Sequence, residues 1–189
     1  MPTVVDLSQN TPEWHAFRKL HIGASETGAI MGLNPYRSAK DVWQEKVYGK
    51  EQPVNDKMRA GTAGEEEARR SYEMLKGFLF APMVLESTEY PFLSASMDGM
   101  SVCMKYAVEI KCGASSFKKA EAGIIENYYY AQMQQQMFIC NLSEIDFYCY
   151  YKQKEILIPV SRNPDFIANM LEKEIDFWDC VQLEIPPED

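Results

Sequence analysis

Several features that would assign a protein class are missing from this 189-residue sequence. No apolar run is long enough to span a bilayer, and the start, MPTVVDLSQNTPEW, lacks the basic and apolar blocks of a signal peptide. The five cysteines form no CxxC pair, and their odd number favours free thiols over disulfides. We therefore expect a folded protein that has no zinc or iron–sulfur site. We also expect this protein to stay in the cytoplasm and to contact no membrane.

Positive charge is also scarce, with 19 Lys and Arg against 28 Asp and Glu and a formal net charge of −9. This balance argues against a protein that binds nucleic acid through its whole surface, but an enzyme of this net charge can still hold DNA in a local basic groove. Some of the acidic residues are predicted to lie on the protein surface, on an amphipathic helix after Pro164. Its apolar stripe is Ile167, Met170, Leu171, Ile175 and Trp178, and the acids predicted largely outside the stripe are Glu172, Glu174, Asp176 and Asp179.

The length and a hydrophobic content of 46% suit a single domain covering residues 1–189. Caps and periodicity predict two short helices within 12–36, a helix between Ser38 and Gly49, and longer helices at 55–76, at 124–141 and after Pro164. Strands are predicted at 83–86, 92–97, 100–104, 106–112, 145–151 and 155–160, the first four as an antiparallel meander with Asp98-Gly99 in a turn. This order predicts an α/β protein with one central mixed sheet flanked by helices.

The strand YAVEIKCG raises a specific question, because it carries two charges in an otherwise apolar run. Side chains alternate along a strand, so Val108 and Ile110 point to one face while Glu109 and Lys111 share the other. One interpretation is an exposed strand face with a Glu–Lys pair. The other is a functional site, and the rest of the sequence decides between them.

Two further carboxylates support the functional interpretation. Glu65 falls on the apolar stripe of the helix at 55–76, which consists of Met58, Gly61, Glu65, Ala68, Tyr72 and Leu75. Asp98 can lie beside Glu109 if their strands form a hairpin, and Glu65 can approach both from the helix. Inward carboxylates are costly unless paired or bound to a metal, and oxygen ligands of this type suit Mg²⁺ or Mn²⁺. Taken singly, Glu65 can sit at the stripe's edge and Asp98 can be an ordinary turn residue.

Asp98 followed by Glu109-Ile110-Lys111 resembles the D…ExK signature of the PD-(D/E)XK nucleases, which share a restriction-endonuclease-like core. The surrounding motifs resemble more specifically the lambda exonuclease or YqaJ-type viral recombinase family, in the family's order from Trp14 to Phe138. One departure is Met97, where the superfamily's name has proline. The motifs are W-H-x-x-R with I-G-A-S-E (14–26), G-L-N-P-Y-R-S (32–38), G-x-x-x-E (61–65), S-M-D-G (96–99), E-I-K (109–111) and Y-x-x-Q-M-Q (129–134).

The resemblance implies a role for each matching residue. Asp98, Glu109 and the Ile110 carbonyl would bind catalytic Mg²⁺, for which Mn²⁺ would substitute, and Glu65 would complete the site through metal or water. Lys111 would activate the hydrolytic water, and Gln132 would help to position it. The residues matching the 5′-phosphate pocket are Arg18, Ser25 and Ser96. From the residues alone, Arg18 can also be a surface arginine and Gln132 a helix-surface residue.

The implied function is a magnesium-dependent 5′ to 3′ exonuclease on linear double-stranded DNA ends, leaving 3′ single strands for phage-type recombination. The resemblance also implies a ring-shaped homo-oligomer, a single-strand annealing protein as partner, and a phage or prophage protein acting in a bacterial cell. Two alternatives stay open. One is a catalytically silent DNA-end-binding or assembly module of the same fold, and the other is an endonuclease of the same superfamily.

Overall fold

Seven strands form one mixed sheet in the computed structural model, which describes residues 1–50 and 56–188, without the side chains of 56–63. The strands are β1 (Thr3–Val5), β2 (Ile22–Gly23), β3 (Phe80–Glu86), β4 (Leu93–Ser101), β5 (Ala107–Cys112), β6 (Glu144–Tyr151) and β7 (Lys154–Ser161). Their order in the sheet is β1-β3-β4-β5-β6-β7, and the two-residue strand β2 pairs with β4. The predicted fold class, a central mixed sheet flanked by helices, is confirmed.

The helix predicted between Ser38 and Gly49 has both of its predicted caps. The Ser38 hydroxyl accepts a hydrogen bond from the Asp41 amide at its start, and Gly49 ends it with a left-handed φ of 68°. A short 3₁₀ turn, Ala24–Glu26, leads from β2 into the second helix. The α-helices are α1 (Pro12–Lys19), α2 (Thr27–Ile30), α3 (Ala39–Tyr48), α4 (Asp56–Lys76), α5 (Ala114–Glu121), α6 (Asn127–Cys140) and α7 (Pro164–Gln182).

The strands of the predicted meander are antiparallel as expected, but the turn predicted at Asp98-Gly99 is wrong. Strand β4 runs unbroken through this dipeptide, so the strands predicted at 92–97 and 100–104 are mostly one strand. Gly99 is a packing residue: a Cβ there would lie 2.7 Å from the Val108 side chain and 3.1 Å from Phe80 Cβ. The chain turns after Ser101 instead, and Asp98 is therefore held inside the sheet.

Strands β5 and β6 pair in parallel, which requires a crossover connection. Helices α5 and α6 supply it. The sequence analysis did not predict α5, and it also missed β1 and β2, which span only three and two residues. Strands this short carry too few positions for a periodic pattern.

Apolar side chains cover both faces of the sheet. Val108 and Ile110 face α4, where Ala68 and Tyr72 are buried, and the opposite face packs against α6 and α7. The predicted α4 stripe is buried at Ala68 and Tyr72, but the prediction is wrong at Leu75, which is 53% exposed. The predictions for Asn55 and for the side chains of Met58 and Gly61 lie outside the described residues. No helix in the described part of the chain could cross a membrane.

Candidate active site

A fork between β4 and β5 creates the space for the site. The two strands pair only beside their turn, through Gly99 with Val108 and Met100 with Ala107. Beyond these pairs β5 stays with β6, whereas the same edge of β4 is taken up by β2. The fork therefore brings the acidic residues of β4 and β5 close to the 22–26 segment.

Glu109 lies inside this fork and is fully buried, with 0% of its surface exposed. Its Oε1 accepts hydrogen bonds from Lys111 Nζ and from Gln132 Nε2, the latter at 2.8 Å, and its Oε2 accepts one from Gln136 Nε2 at 2.7 Å. The interpretation of an exposed Glu–Lys strand pair is therefore wrong. A buried carboxylate that accepts three hydrogen bonds forms an organised polar site inside the protein.

Asp98 is partly buried next to Glu109. Its Oδ2 accepts a hydrogen bond of 2.8 Å from the Ile110 amide, which has no β4 carbonyl to bond at the fork. Burial and the neighbouring charges of Glu109 and Glu65 raise the pKa of Asp98 well above its usual range, although Lys111 opposes the shift. Surplus negative charge has thus accumulated around this residue.

Glu65 belongs to the same electrostatic group. It is partly buried on α4, where the neighbouring Gly64 faces Cys112 closely enough that an added Cβ would lie 3.2 Å from Cys112 Cβ. Burial raises the pKa of Glu65, and the charge of Glu109 adds to this, while Lys111 and Arg69 lower it. The predicted acids therefore interact with one another across the fork.

The donor set fits a hard divalent cation in part. Burial is the main cause of the raised pKa of Asp98 and Glu65, the charge of Glu109 adds to it, and a bound cation would oppose both effects. However, no three His, Cys, Asp or Glu side chains among the described residues converge closely enough to hold a metal ion. Mg²⁺ is usually bound by one or two carboxylates together with water and substrate phosphate, so it does not require three converging side chains.

Lys111 is held as an ammonium group. Burial alone would lower its pKa, but the charges of Glu109 and Asp98 outweigh burial and raise the pKa above the ordinary lysine value. The Nζ atom also lies 4.8 Å from the centre of the Tyr129 ring. In this setting Lys111 can donate hydrogen bonds and stabilise negative charge.

The three residues predicted to bind a terminal phosphate are linked to one another by side-chain contacts. Arg18 Nη2 donates a hydrogen bond of 3.2 Å to Ser25 Oγ, and its guanidinium lies 4.8 Å from the Trp14 ring centre. Trp14 Nε1 in turn donates to Ser96 Oγ at 2.9 Å. Trp14 thus connects Arg18 to Ser96, a contact that sequence reasoning did not foresee.

Arg18 belongs to a buried cluster of ion pairs that holds its side chain in place. Glu26 is 2% exposed and accepts hydrogen bonds from Arg18 at 3.1 Å and from Lys46 at 2.6 Å. Burial opposes ionisation of Glu26, but Lys46, Arg18 and Arg37 together lower its pKa to about 2. Sequence analysis missed this cluster, although Lys46 on the packed side of its helix was a usable signal.

Three consecutive glutamines of α6, Gln134, Gln135 and Gln136, are fully buried. Gln135 Nε2 donates to the carbonyls of Ile22 at 3.1 Å and Ser94 at 3.2 Å, so it holds β2 to β4 at the fork. Of this region, sequence reasoning selected only Gln132. The signal available in the sequence for these buried residues was the run of glutamines in a predicted helix that has no clear polar face.

Glu174 corrects the prediction that the acids of α7 lie outside its apolar stripe. It is fully buried, whereas Ile175 of the predicted stripe is 36% exposed. Glu174 Oε1 lies 3.0 Å from Thr27 Oγ1, and that hydroxyl also bonds Gln135 Oε1. Both amide hydrogens of Gln135 point to backbone carbonyls, so its oxygen needs the single Thr27 proton.

The one proton of the Thr27 hydroxyl cannot be donated to both Gln135 Oε1 and Glu174 Oε1, which favours the protonated form of Glu174. Burial raises the pKa of Glu174 to about 8, and the charge of Glu26 adds to the rise. Its second oxygen has no hydrogen-bond partner among the described residues, which suits a neutral acid better than a carboxylate. Helix α7 is thus joined to α2 and α6 through the buried carboxyl group of Glu174.

Comparison with known proteins places this geometry among recombination proteins. The family model of the YqaJ-like viral recombinase domain matches residues 13–143. The YqaJ protein of Bacillus subtilis is 25% identical over 176 residues, which cover 88% of this chain and 54% of that protein. Protein D345L of African swine fever virus is 36% identical over 52 residues, covering 25% of this chain and 15% of its own length. The chain thus spans about half or less of these curated relatives.

Solved structures share the fold. The alkaline exonuclease LHK-Exo of Laribacter hongkongensis superposes with a TM-score of 0.81 at 24% identity, covering 93% of this chain and 94% of that one. A phage-related exonuclease from Haemophilus somnus gives a TM-score of 0.63 at 15% identity, with 90% and 99% covered. At these identities the likeness shows a common architecture.

Proposed function

Because the chain belongs to the family of YqaJ-like viral recombinase domains, we propose that it is a magnesium-dependent 5′ to 3′ exonuclease on linear double-stranded DNA. One observation carries this proposal. Ser96, which joins the Arg18 pocket through Trp14, is two residues from Asp98 on the same strand. Residues two apart in a strand share a face about 7 Å apart, so a phosphate pocket and an acidic centre adjoin.

The acidic centre would hold the metal through Asp98, Glu109 and the Ile110 carbonyl, with Glu65 bonding metal or water. Bound Mg²⁺, or Mn²⁺ in its place, would polarise the scissile phosphodiester and lower the pKa of a bound water. Lys111, as an ammonium, would orient the attacking water and stabilise developing charge. Gln132, which shares Glu109 Oε1 with Lys111, would hold this water in line.

The second pocket would select the DNA end. Arg18 offers a charged donor, Ser25 and Ser96 offer hydroxyls, and the terminal phosphate is the anion that such a group binds. Glu26 holds the Arg18 side chain in place through the buried cluster. The three cations Arg18, Arg37 and Lys46 outnumber the two acids of the same cluster, Glu26 and Glu45, which would leave a local excess of positive charge for a DNA phosphate in an acidic protein.

The wider role would be to expose 3′ single strands for phage-type recombination. We propose that the protein acts in the bacterial cytoplasm, as a homo-oligomeric ring around DNA, and passes the single strand to an annealing protein. The alkaline exonuclease LHK-Exo has been solved in complex with dAMP. A nucleotide of this kind is what removal of single residues from a 5′-phosphorylated end would release.

The phosphate pocket leads to a direct test. Duplex with 5′-phosphorylated ends should be digested about 10-fold to 100-fold faster than duplex with 5′-hydroxyl ends, since a charge-assisted hydrogen bond contributes about 1.5–3 kcal/mol. Ser25→Ala should reduce this preference, because Ser25 is exposed and bonds Arg18. The measurement is the initial rate on each substrate.

The matched control is Arg70→Ala, which removes an exposed arginine that pairs with Glu66 on the same helix, and which should leave the preference unchanged. Equal rates on both ends in the wild type would contradict the assignment of Arg18, Ser25 and Ser96. Efficient cutting of covalently closed circles would favour the endonuclease alternative. Specific end binding without any digestion would favour the catalytically silent module.

A further inference from the structure

Gln136 differs from its two buried neighbours in where its hydrogen bonds go. Gln134 bonds the Ser161 carbonyl at 3.0 Å and the Asn163 amide at 2.8 Å, so it ties α6 to the chain leading into α7. Gln135 bonds the backbone of β2 and β4. Gln136 alone of the three donates to the acidic centre, to Glu109 Oε2.

The two oxygens of Glu109 have different surroundings. Oε1 is bonded by Lys111 and Gln132, both of which are partly exposed, so this oxygen faces the open fork. Oε2 is bonded by Gln136, which is fully buried, so it faces the interior. Gln132 and Gln136 are one helical turn apart and hold opposite oxygens of one carboxylate, which fixes its rotation.

The amide of Gln136 gains little for the fold itself. Its Oε1 is buried and has no hydrogen-bond partner among the described residues. An unpaired buried acceptor offsets the gain from the single bond that Nε2 makes. An apolar side chain would fill the same space at lower cost, so the amide is best explained by its donor to Glu109.

We infer that Gln136 is a positioning residue that orients Glu109 so that Oε1 is the oxygen presented to a divalent cation. This inference rests on the proposed function, because it assumes that Glu109 is a metal ligand. Residues that hydrogen-bond a metal's ligands hold those ligands in the orientation that binds the metal. Mutation of such residues typically weakens metal affinity or activity by about 10-fold to 100-fold. Gln136 would act on the metal in this way without touching it.

The test is calorimetric titration of the full chain with Mn²⁺ alone, which needs neither DNA nor turnover. Gln136→Met keeps the shape and removes the donor, and should raise the dissociation constant for Mn²⁺ about 10-fold to 100-fold. Gln134→Met is the matched control, because it removes an equally buried amide from the same helix. It should leave Mn²⁺ affinity unchanged even if it lowers the melting temperature.

The outcomes distinguish failure of the role inferred for Gln136 from failure of the proposed metal site. Wild-type Mn²⁺ affinity in Gln136→Met would overturn the inference while leaving the proposed function intact. Equal Mn²⁺ binding by the wild type and Glu109→Ala would instead overturn the metal site itself. If Gln136→Met does not fold, Gln136→Asn gives the same readout, because its shorter amide cannot span the 2.7 Å contact to Glu109. Wild-type Mn²⁺ affinity in that variant would equally overturn the inference.

Discussion

Replacing Lys111 by alanine is expected to lower magnesium-dependent digestion of linear duplex DNA by about 10³-fold or more, with little loss of folded protein. The same loss is expected for Asp98→Ala and Glu109→Ala, because groups that act as one unit each cost nearly the whole effect when removed. The measurement is the single-turnover rate on a 5′-phosphorylated duplex. Circular dichroism of each variant checks that the fold is retained.

The three variants differ in what they do to the local charge. Loss of Lys111 removes the cation that opposes the raised pKa of Asp98, whereas loss of Asp98 removes one of the repelling acids. Lys118→Ala serves as the control, because this lysine is exposed on α5 and should digest DNA at the wild-type rate. Wild-type rates in Lys111→Ala would refute the role assigned to its ammonium group.

Replacing Glu174 by glutamine is expected to stabilise the protein at pH 8 by up to roughly 5 kcal/mol, with no gain at pH 4.5 or below. The folded pKa of about 8 lies above the ordinary value of 4.5, so the folded state keeps a proton that the unfolded state has lost. Between these pH values wild-type stability therefore falls relative to the variant. Glutamine keeps the hydrogen-bond donor to Thr27 and cannot ionise.

Urea unfolding of both proteins between pH 4.5 and pH 9 measures this difference. Other titrating groups contribute equally to the two proteins, so their effects cancel in the comparison. Glu172→Gln, an exposed position on the same helix, should show no such pH dependence. A stability difference that stays constant across the range would mean that Glu174 is not held in its protonated form.

Local sequence signals predicted much of the framework. Ser38 and Gly49 marked the ends of α3 because capping is a local interaction. Alternation along β5 correctly placed Glu109 and Lys111 on one face, opposite Val108 and Ile110. Asp98-Gly99 was misread as a turn, since the dipeptide is typical of turns, while the reason for Gly99 is its closeness to Val108 on the neighbouring strand.

The contacts that support the site could not be predicted in this way. Glu174 looked peripheral because its partner, Thr27, is 147 residues away in the chain. Gln136 bonds Glu109 across 27 residues, and Trp14 bonds Ser96 across 82. Helical periodicity describes which face a residue occupies, but the partner on that face is set by the packing of the whole sheet. The family resemblance selected the residues of the acidic centre and of the proposed phosphate pocket, and the structure shows which other residues bond them.

The most direct measurement follows a linear duplex labelled in turn at each 5′ and each 3′ end, incubated with the wild-type protein in Mg²⁺ or in EDTA. We expect loss of the 5′ label as mononucleotide, survival of the 3′ strands as single-stranded DNA, and no reaction in EDTA. Removal of the 3′ label first, cleavage that begins at internal positions, or digestion that persists in EDTA would contradict a metal-dependent 5′ to 3′ exonuclease.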